Sequence, residues 1–263
     1  MALPDVLVPE LAADECQVWW ARATDARPAL ADLLEPAERE RMGALRHHRA
    51  RTLYLVAHAL ARLVAAAALD TDPATLRFTA RCRRCGGPHG KPTLVGADQP
   101  RLSLSHSGGL AVVALTRAVE VGVDVERITL AGRRIPVTAL AAAERAALDT
   151  VPGPARLRGF IRYWTRKEAV LKATGDGLAV GPATVSVSPP TRPPALLSWP
   201  GRSGPPIHLH DLADRPGHLA CVAMLGRRLH VTEYDASRLL ASHVTKSGHQ
   251  SMAGRRVAAT VAN

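Results

Sequence analysis

Apolar positions along the 263-residue chain switch repeatedly between a helical period and a strand period. In residues 35–69, EPAERERMGALRHHRARTLYLVAHALARLVAAAAL, the residues Leu53, Val56, Leu60, Leu63 and Val64 recur at helical spacing, behind a Pro36 that suits a first helical turn. Two helices with basic outer faces are predicted there. A turn at DTDPAT follows, then the short alternating LRFTA and the loop CRRCGGPHGKP. RLSLSHSGGLAVVALT reads as two strands around a Ser-His-Ser-Gly-Gly turn.

The same theme returns after residue 118. VEVGVDVERI alternates as a strand, and RRIPVTALAAAERAALDTV contains a helix. PARLRGFIRYWTRKEAVLKATG predicts a longer helix ending at Gly175, a common C-terminal residue. LAVGPATVSVSP regains strand character, a Pro-rich interval follows, and IHLHDL, HLACVAML and RRLHVTEY read as further strands. From residue 236 the chain turns to Ser, His, Gly and Arg without apolar period, which predicts a mobile basic tail. The expected fold class is therefore α+β, with two similar α+β halves at 1–118 and 119–235 and a tail at 236–263.

Hydrophobic residues make up 47% of the chain but aromatics only 3%, so Ala, Val and Leu must fill the core. The formal charge of +11 favours polyanionic partners without choosing among them. Early acids at the N-terminus argue against a signal peptide. The longest apolar stretch, YLVAHALARLVAAAAL, is interrupted by His58 and Arg62 and is too short to span a bilayer, which argues against a membrane span. Four cysteines without a leader suit a reducing compartment, so a cytoplasmic location is expected.

Two segments carry candidate chemistry. In VEVGVDVERI, alternation gives Val119, Val121, Val123 and Val125 one face and Glu120, Gly122, Asp124 and Glu126 the other. Asp124 and Glu126 stand two residues apart, so their carboxylates can converge on one cation, with room beside Gly122 for a ligand. Oxygen ligands on a rigid strand suit Mg²⁺; a strand with one solvated acidic face explains the same pattern. In WTRKEAVLK, Trp164, Glu168 and Lys172 lie along one helical face, with Trp164 as a packing anchor and Lys167 on the adjoining edge; Glu168 and Lys172 also suit a simple exposed ion pair.

The ordered pair GVDVE (122–126) and WTRKEAVLK (164–172) resembles the two signature motifs of the 4′-phosphopantetheinyl transferases, matching G-x-D-x-E and (W/F)-x-x-K-E-(A/S)-x-x-K at every fixed position. GKP at 90–92 and LSLSHS at 102–107 resemble the larger, surfactin-synthetase-activating branch, whose single chain mimics a dimer of α+β halves. This resemblance implies transfer of the phosphopantetheine arm of coenzyme A to a serine of an apo acyl- or peptidyl-carrier protein, with release of 3′,5′-ADP. It implies Mg²⁺, with Mn²⁺ as the alternative, on Asp124, Glu126 and Glu168. Lys172 would balance the developing charge, and Glu168 or a metal-bound water would take the serine proton. Lys91, Ser105 and His106 would contact the nucleotide, and Arg46 and Arg51 its 3′-phosphate. A monomer acting on acidic carrier proteins, with no nucleic acid or membrane partner, is expected.

Competing readings exist. Cys82 and Cys85, with His89, look like half of a zinc knuckle, but a structural zinc needs four ligands. His208 and His210 read as a surface pair. A basic nucleic-acid-binding protein would account for the charge, yet stacking aromatics are not interleaved with the cations. A catalytically silent relative and a Mg²⁺-dependent phosphohydrolase would use the same carboxylates.

Overall fold

Alternate residues on two central strands part to opposite faces, and that sorting defines the layers. In a computed structural model, which describes residues 8–82, 85–88, 90–129, 136–177 and 180–243, the first of these strands is β1 (Glu15–Arg22). Its Trp19 and Ala21 enter one core, while Cys16, Val18 and Trp20 enter another. The other is β10 (His218–Leu225), which sends Leu219, Cys221 and Ala223 one way and Ala220, Val222 and Met224 the other. Burial on both faces at period two marks a sheet covered on both sides.

The remaining strands are β2 (Phe78–Thr79), β3 (Thr93–Leu94), β4 (Arg101–Ser107), β5 (Leu110–Thr116), β6 (Val121–Arg127), β7 (Ser186–Val187), β8 (Leu196–Ser198), β9 (Ile207–Asp211) and β11 (His230–Asp235). One sheet has the order β11-β1-β5-β4, the other β6-β10-β9, and β2-β3 and β7-β8 form small pairs. The two larger sheets face each other across a middle core that includes Val18, Trp20, Val112, Val123 and Val222. Helix α2 (His48–Leu69) covers the outer face of the first sheet and α4 (Gly153–Thr174) that of the second. The order of layers is helix, sheet, sheet, helix.

A short helix precedes each long one, α1 (Pro36–Ala44) before α2 and α3 (Ala142–Asp149) before α4. Glu38 and Glu144, each at the third helical position, accept the N-cap amide of Glu35 at 2.9 Å and of Ala141 at 2.8 Å. Each acid also meets a buried cation of the long helix. Arg62 Nη2 lies 2.7 Å from Glu38, and Lys167 Nζ 2.5 Å from Glu144. Both cations spend further donors on carbonyls, Arg62 on Pro73 and Leu76 and Lys167 on Ala139 and Pro182.

Four expectations need correction. Ser105, His106 and Ser107 belong to strand β4, and the turn proper is Gly108-Gly109. The last strand, β11, pairs in parallel with β1 and so completes the first sheet, across the boundary expected at residue 118. Residues 236–243 are not an unpacked tail: Ala236, Leu239 and Leu240 lie in the first core, and 244–263 fall outside the described residues. Finally, α2 is long and apolar enough to cross a membrane by length and composition, but its apolar stripe is buried against the first sheet.

Candidate active site

Gly122 sets the site's geometry. A Cβ there would stand 2.1 Å from the carbonyl oxygen of Ala169 and 2.2 Å from the amide nitrogen of Ala173. The gap beside Gly122 is therefore filled by the backbone of α4, not by a ligand as the sequence suggested. The Val121, Val123 and Val125 side chains meanwhile anchor the other face of β6 in the middle core. This close approach carries the two motifs into contact, because Glu168 and Lys172 lie on the stretch of α4 that rides over β6.

The contact is specific. Lys172 Nζ donates to Asp124 Oδ1 at 2.7 Å and to Ser105 Oγ at 2.9 Å, and Ser105 Oγ donates to the same Asp124 oxygen at 2.9 Å. The bland reading, an ion pair between Glu168 and Lys172, is thus replaced by one between Lys172 and Asp124. Glu126 accepts from Ser107 Oγ at 2.7 Å. Trp164, read as a packing anchor, stacks on Phe160.

Three carboxylates crowd one buried region. Burial, and then the neighbouring Asp124 charge, push Glu168 up to about 7. The same two causes raise Glu126. Two oxygens here, Asp124 Oδ2 and Glu168 Oε1, are buried without a hydrogen-bond partner. Orphaned carboxylate oxygens beside like charges are what an oxygen-ligated divalent cation would relieve. The donor set therefore fits Mg²⁺ in its chemistry. Among the described residues, however, no three His, Cys, Asp or Glu side chains already stand as a metal cluster. Ser105 and Lys172 hold one oxygen of Asp124, and Ser107 holds one of Glu126.

The other sequence candidates fall on different sides of this region. Lys91 lines a cleft of about 520 Å³ together with Cys82, Glu168 and Lys172, and pairs with Glu120 at 2.7 Å. Alternation puts Ser105 toward Asp124 and His106 on the opposite face of β4, at the surface. Packing around its ring and then the Lys172 charge lower the His106 pKa. Arg46, Arg49 and Arg51 are all exposed, and Arg51 Nε donates to the Leu45 carbonyl of its own segment at 2.7 Å. Arg49 is the arginine that reaches the seam, donating to the Gly108 carbonyl at 2.7 Å. It continues the buried stripe of Leu53, Val56 and Leu60 by one turn, whereas Arg51 lies off that stripe. Arg49 also lines a second cleft of about 540 Å³ with Trp20, Gly109, Arg215 and His218.

Lys167 was expected on an adjoining edge of the helix and is wholly buried against Glu144 instead. His89, the third member of the zinc reading, lies outside the described residues.

Comparison with known proteins bears on this cluster directly. The family model for the 4′-phosphopantetheinyl transferase superfamily matches residues 120–223, which begin at the acidic strand and include the whole of α4. The 4′-phosphopantetheinyl transferase HetI of Nostoc sp. is 29% identical over 224 residues, covering 82% of this chain and 90% of that protein. A Synechocystis sp. protein, slr0495, provisionally described as such a transferase, is 30% identical over 168 residues, 62% of this chain and 66% of its own length. The AcpT transferase of Escherichia coli O157:H7 is 35% identical over 91 residues, but this chain spans only 47% of it. Both motifs, with their side chains in contact, thus lie inside the region that matches the 4′-phosphopantetheinyl transferase superfamily model, and the relatives described as such transferases align across it.

Proposed function

We propose that this chain transfers the 4′-phosphopantetheine group of coenzyme A to a serine of an apo acyl- or peptidyl-carrier protein and releases 3′,5′-ADP. The observation that carries the reading is the junction of Asp124, Ser105 and Lys172, with Glu168 and Glu126 beside it. The carrier serine oxygen forms a bond to the phosphorus that bears pantetheine, and the bond from that phosphorus to the bridging oxygen breaks. The electron pair of the broken bond leaves with 3′,5′-ADP, and the serine proton must go to a base.

In the metal-free site burial and the Asp124 charge give Glu168 a proton affinity near neutrality; a bound cation would lower it, so Glu168 suits the proton only where it does not ligate the ion. Lys172 already holds an ammonium between two oxygen acceptors and suits the negative charge that develops on the phosphoryl oxygens. Asp124, Glu126 and Glu168 would hold Mg²⁺, or Mn²⁺ in its place. That ion, when bound, would neutralise pyrophosphate charge and polarise the phosphorus. Lys91, in the same cleft as Lys172, suits the nucleotide side of coenzyme A; Ser105, bonded to Lys172, and His106, on the other face of β4, are assigned to the nucleotide by the family resemblance alone. For its 3′-phosphate, Arg49 is better supported than Arg46 or Arg51, because it is the one held at the seam.

The four-layer arrangement and the matched pairs Glu38–Arg62 and Glu144–Lys167 support an internally duplicated chain of the larger, surfactin-synthetase-activating type acting as a monomer. A basic surface favours polyanionic coenzyme A and acidic carriers, and a cytoplasmic setting suits both. Product analysis is the test. Release of 3′,5′-ADP in step with carrier modification is expected. Free phosphopantetheine without a modified carrier would replace transfer by hydrolysis.

A further inference from the structure

Side chains bridge the seam between β4 and β6 where a continuous sheet would use main chain. Both are edge strands of their sheets, and amides left unpaired at a buried edge are costly. Ser103, Ser105 and Ser107 alternate along β4 and so share the face turned to β6. Ser103 Oγ accepts the Val123 amide at 3.0 Å, and Ser107 Oγ accepts the Arg127 amide at 3.1 Å. Ser107 also donates its own proton to Glu126 Oε2 at 2.7 Å. A hydroxyl can accept and donate at once. Ser107 therefore fastens the Glu126 carboxylate to the backbone of the next residue and to the other half of the molecule.

We propose that Ser107 is a positioning residue that fixes the orientation of Glu126 for cation binding. Ser103 makes the same contact to a β6 amide without touching a carboxylate. The inference rests on the reading of Asp124, Glu126 and Glu168 as cation ligands. Ser103 supplies the internal control, since a merely structural role would give both serines the same phenotype.

The experiment titrates the full-length chain with Mn²⁺ alone, followed by electron paramagnetic resonance, and records melting temperatures of the same samples. Ser107→Ala is expected to weaken Mn²⁺ binding by about tenfold, the usual loss when a hydrogen-bond partner of a metal ligand is removed. Ser107→Thr, which keeps the hydroxyl, restores it. In turnover assays Ser107→Ala lowers kcat while the KM for coenzyme A stays close to that of the unaltered chain. Ser103→Ala lowers the melting temperature without changing Mn²⁺ affinity. Normal Mn²⁺ binding by Ser107→Ala, with binding lost in Glu126→Gln, would overturn the positioning role and leave the functional reading standing. Normal binding by Glu126→Gln as well would remove both. Equal losses in Ser103→Ala and Ser107→Ala would reduce the serines to packing and overturn the proposal.

Discussion

Lys172 and Asp124 are held at 2.7 Å, yet the lysine side chain keeps 28% of its surface while Asp124 keeps 4%. The lysine can therefore turn toward a ligand at modest desolvation cost, whereas the aspartate cannot leave. Lys172→Ala is expected to lower kcat by about 10²–10³, the scale of losing one preformed charge donor, with the carrier KM nearly unchanged. Steady-state kinetics with a saturating carrier check this; a KM effect alone would assign Lys172 to binding. That Asp124 and Glu126 share one strand face, and Glu168 and Lys172 one helix face, was legible in the sequence because each pair keeps the period of its element, two for the strand and near four for the helix. The contact of Arg49 with the Gly108 carbonyl was not. Three arginines crowd residues 46–51, and only the rotation of α2 against the Gly108 turn selects among them.

At the scale of elements, Gly122 and Lys167 show how α4 is seated. Gly122→Ala puts a methyl against the helix backbone, which no rotamer change relieves. A loss of about 3 kcal/mol, the upper end for overpacking, is expected in chemical denaturation, together with loss of transfer. Lys167 is wholly buried on Glu144, and burial lowers its pKa while that pair raises it. Lys167→Met leaves a buried, unpaired carboxylate and should cost about 3–5 kcal/mol. Adding Glu144→Leu should recover only part of that loss, because Glu144 also accepts the Ala141 and Val187 amides, and denaturation of the single and double variants measures the difference directly. The helices themselves were readable from apolar spacing, Pro36 and Gly175. What hid Lys167 is that a lysine in a polar-looking motif gives no sign that its partner waits twenty-three residues upstream on a separate short helix.

For the whole molecule, the two-sheet core explains both the successes and the misses of the sequence reading. Strand β6 announced itself by strict alternation, but β1, with ECQVWWAR buried on both faces, lacks that contrast and went unrecognised. The parallel pairing of β11 with β1 joins residues more than two hundred apart, which no local pattern encodes. Acid stability belongs to this scale too. Burial tends to raise Glu38, but its hydrogen bond to His58 and the charge of Arg62 prevail and leave it below its ordinary value. A depressed acid stabilises the fold above its unfolded pKa of about 4.3 and loses that contribution as pH falls through the folded value. Melting temperatures should thus decline below about pH 4, and more shallowly in Glu38→Gln, which starts lower at neutral pH.

The most direct test of the central claim is intact-mass spectrometry of purified apo acyl- and peptidyl-carrier proteins incubated with this chain, coenzyme A and Mg²⁺. The account predicts a gain of one phosphopantetheine on at least one carrier, abolished by chelation and by a folded Asp124→Ala variant. Removing Asp124 leaves Lys172 free to reach water, so that variant should melt near the unaltered chain. A carrier modified as well by Asp124→Ala as by the unaltered protein, or no modification of any carrier by a folded chain that binds coenzyme A, would contradict it.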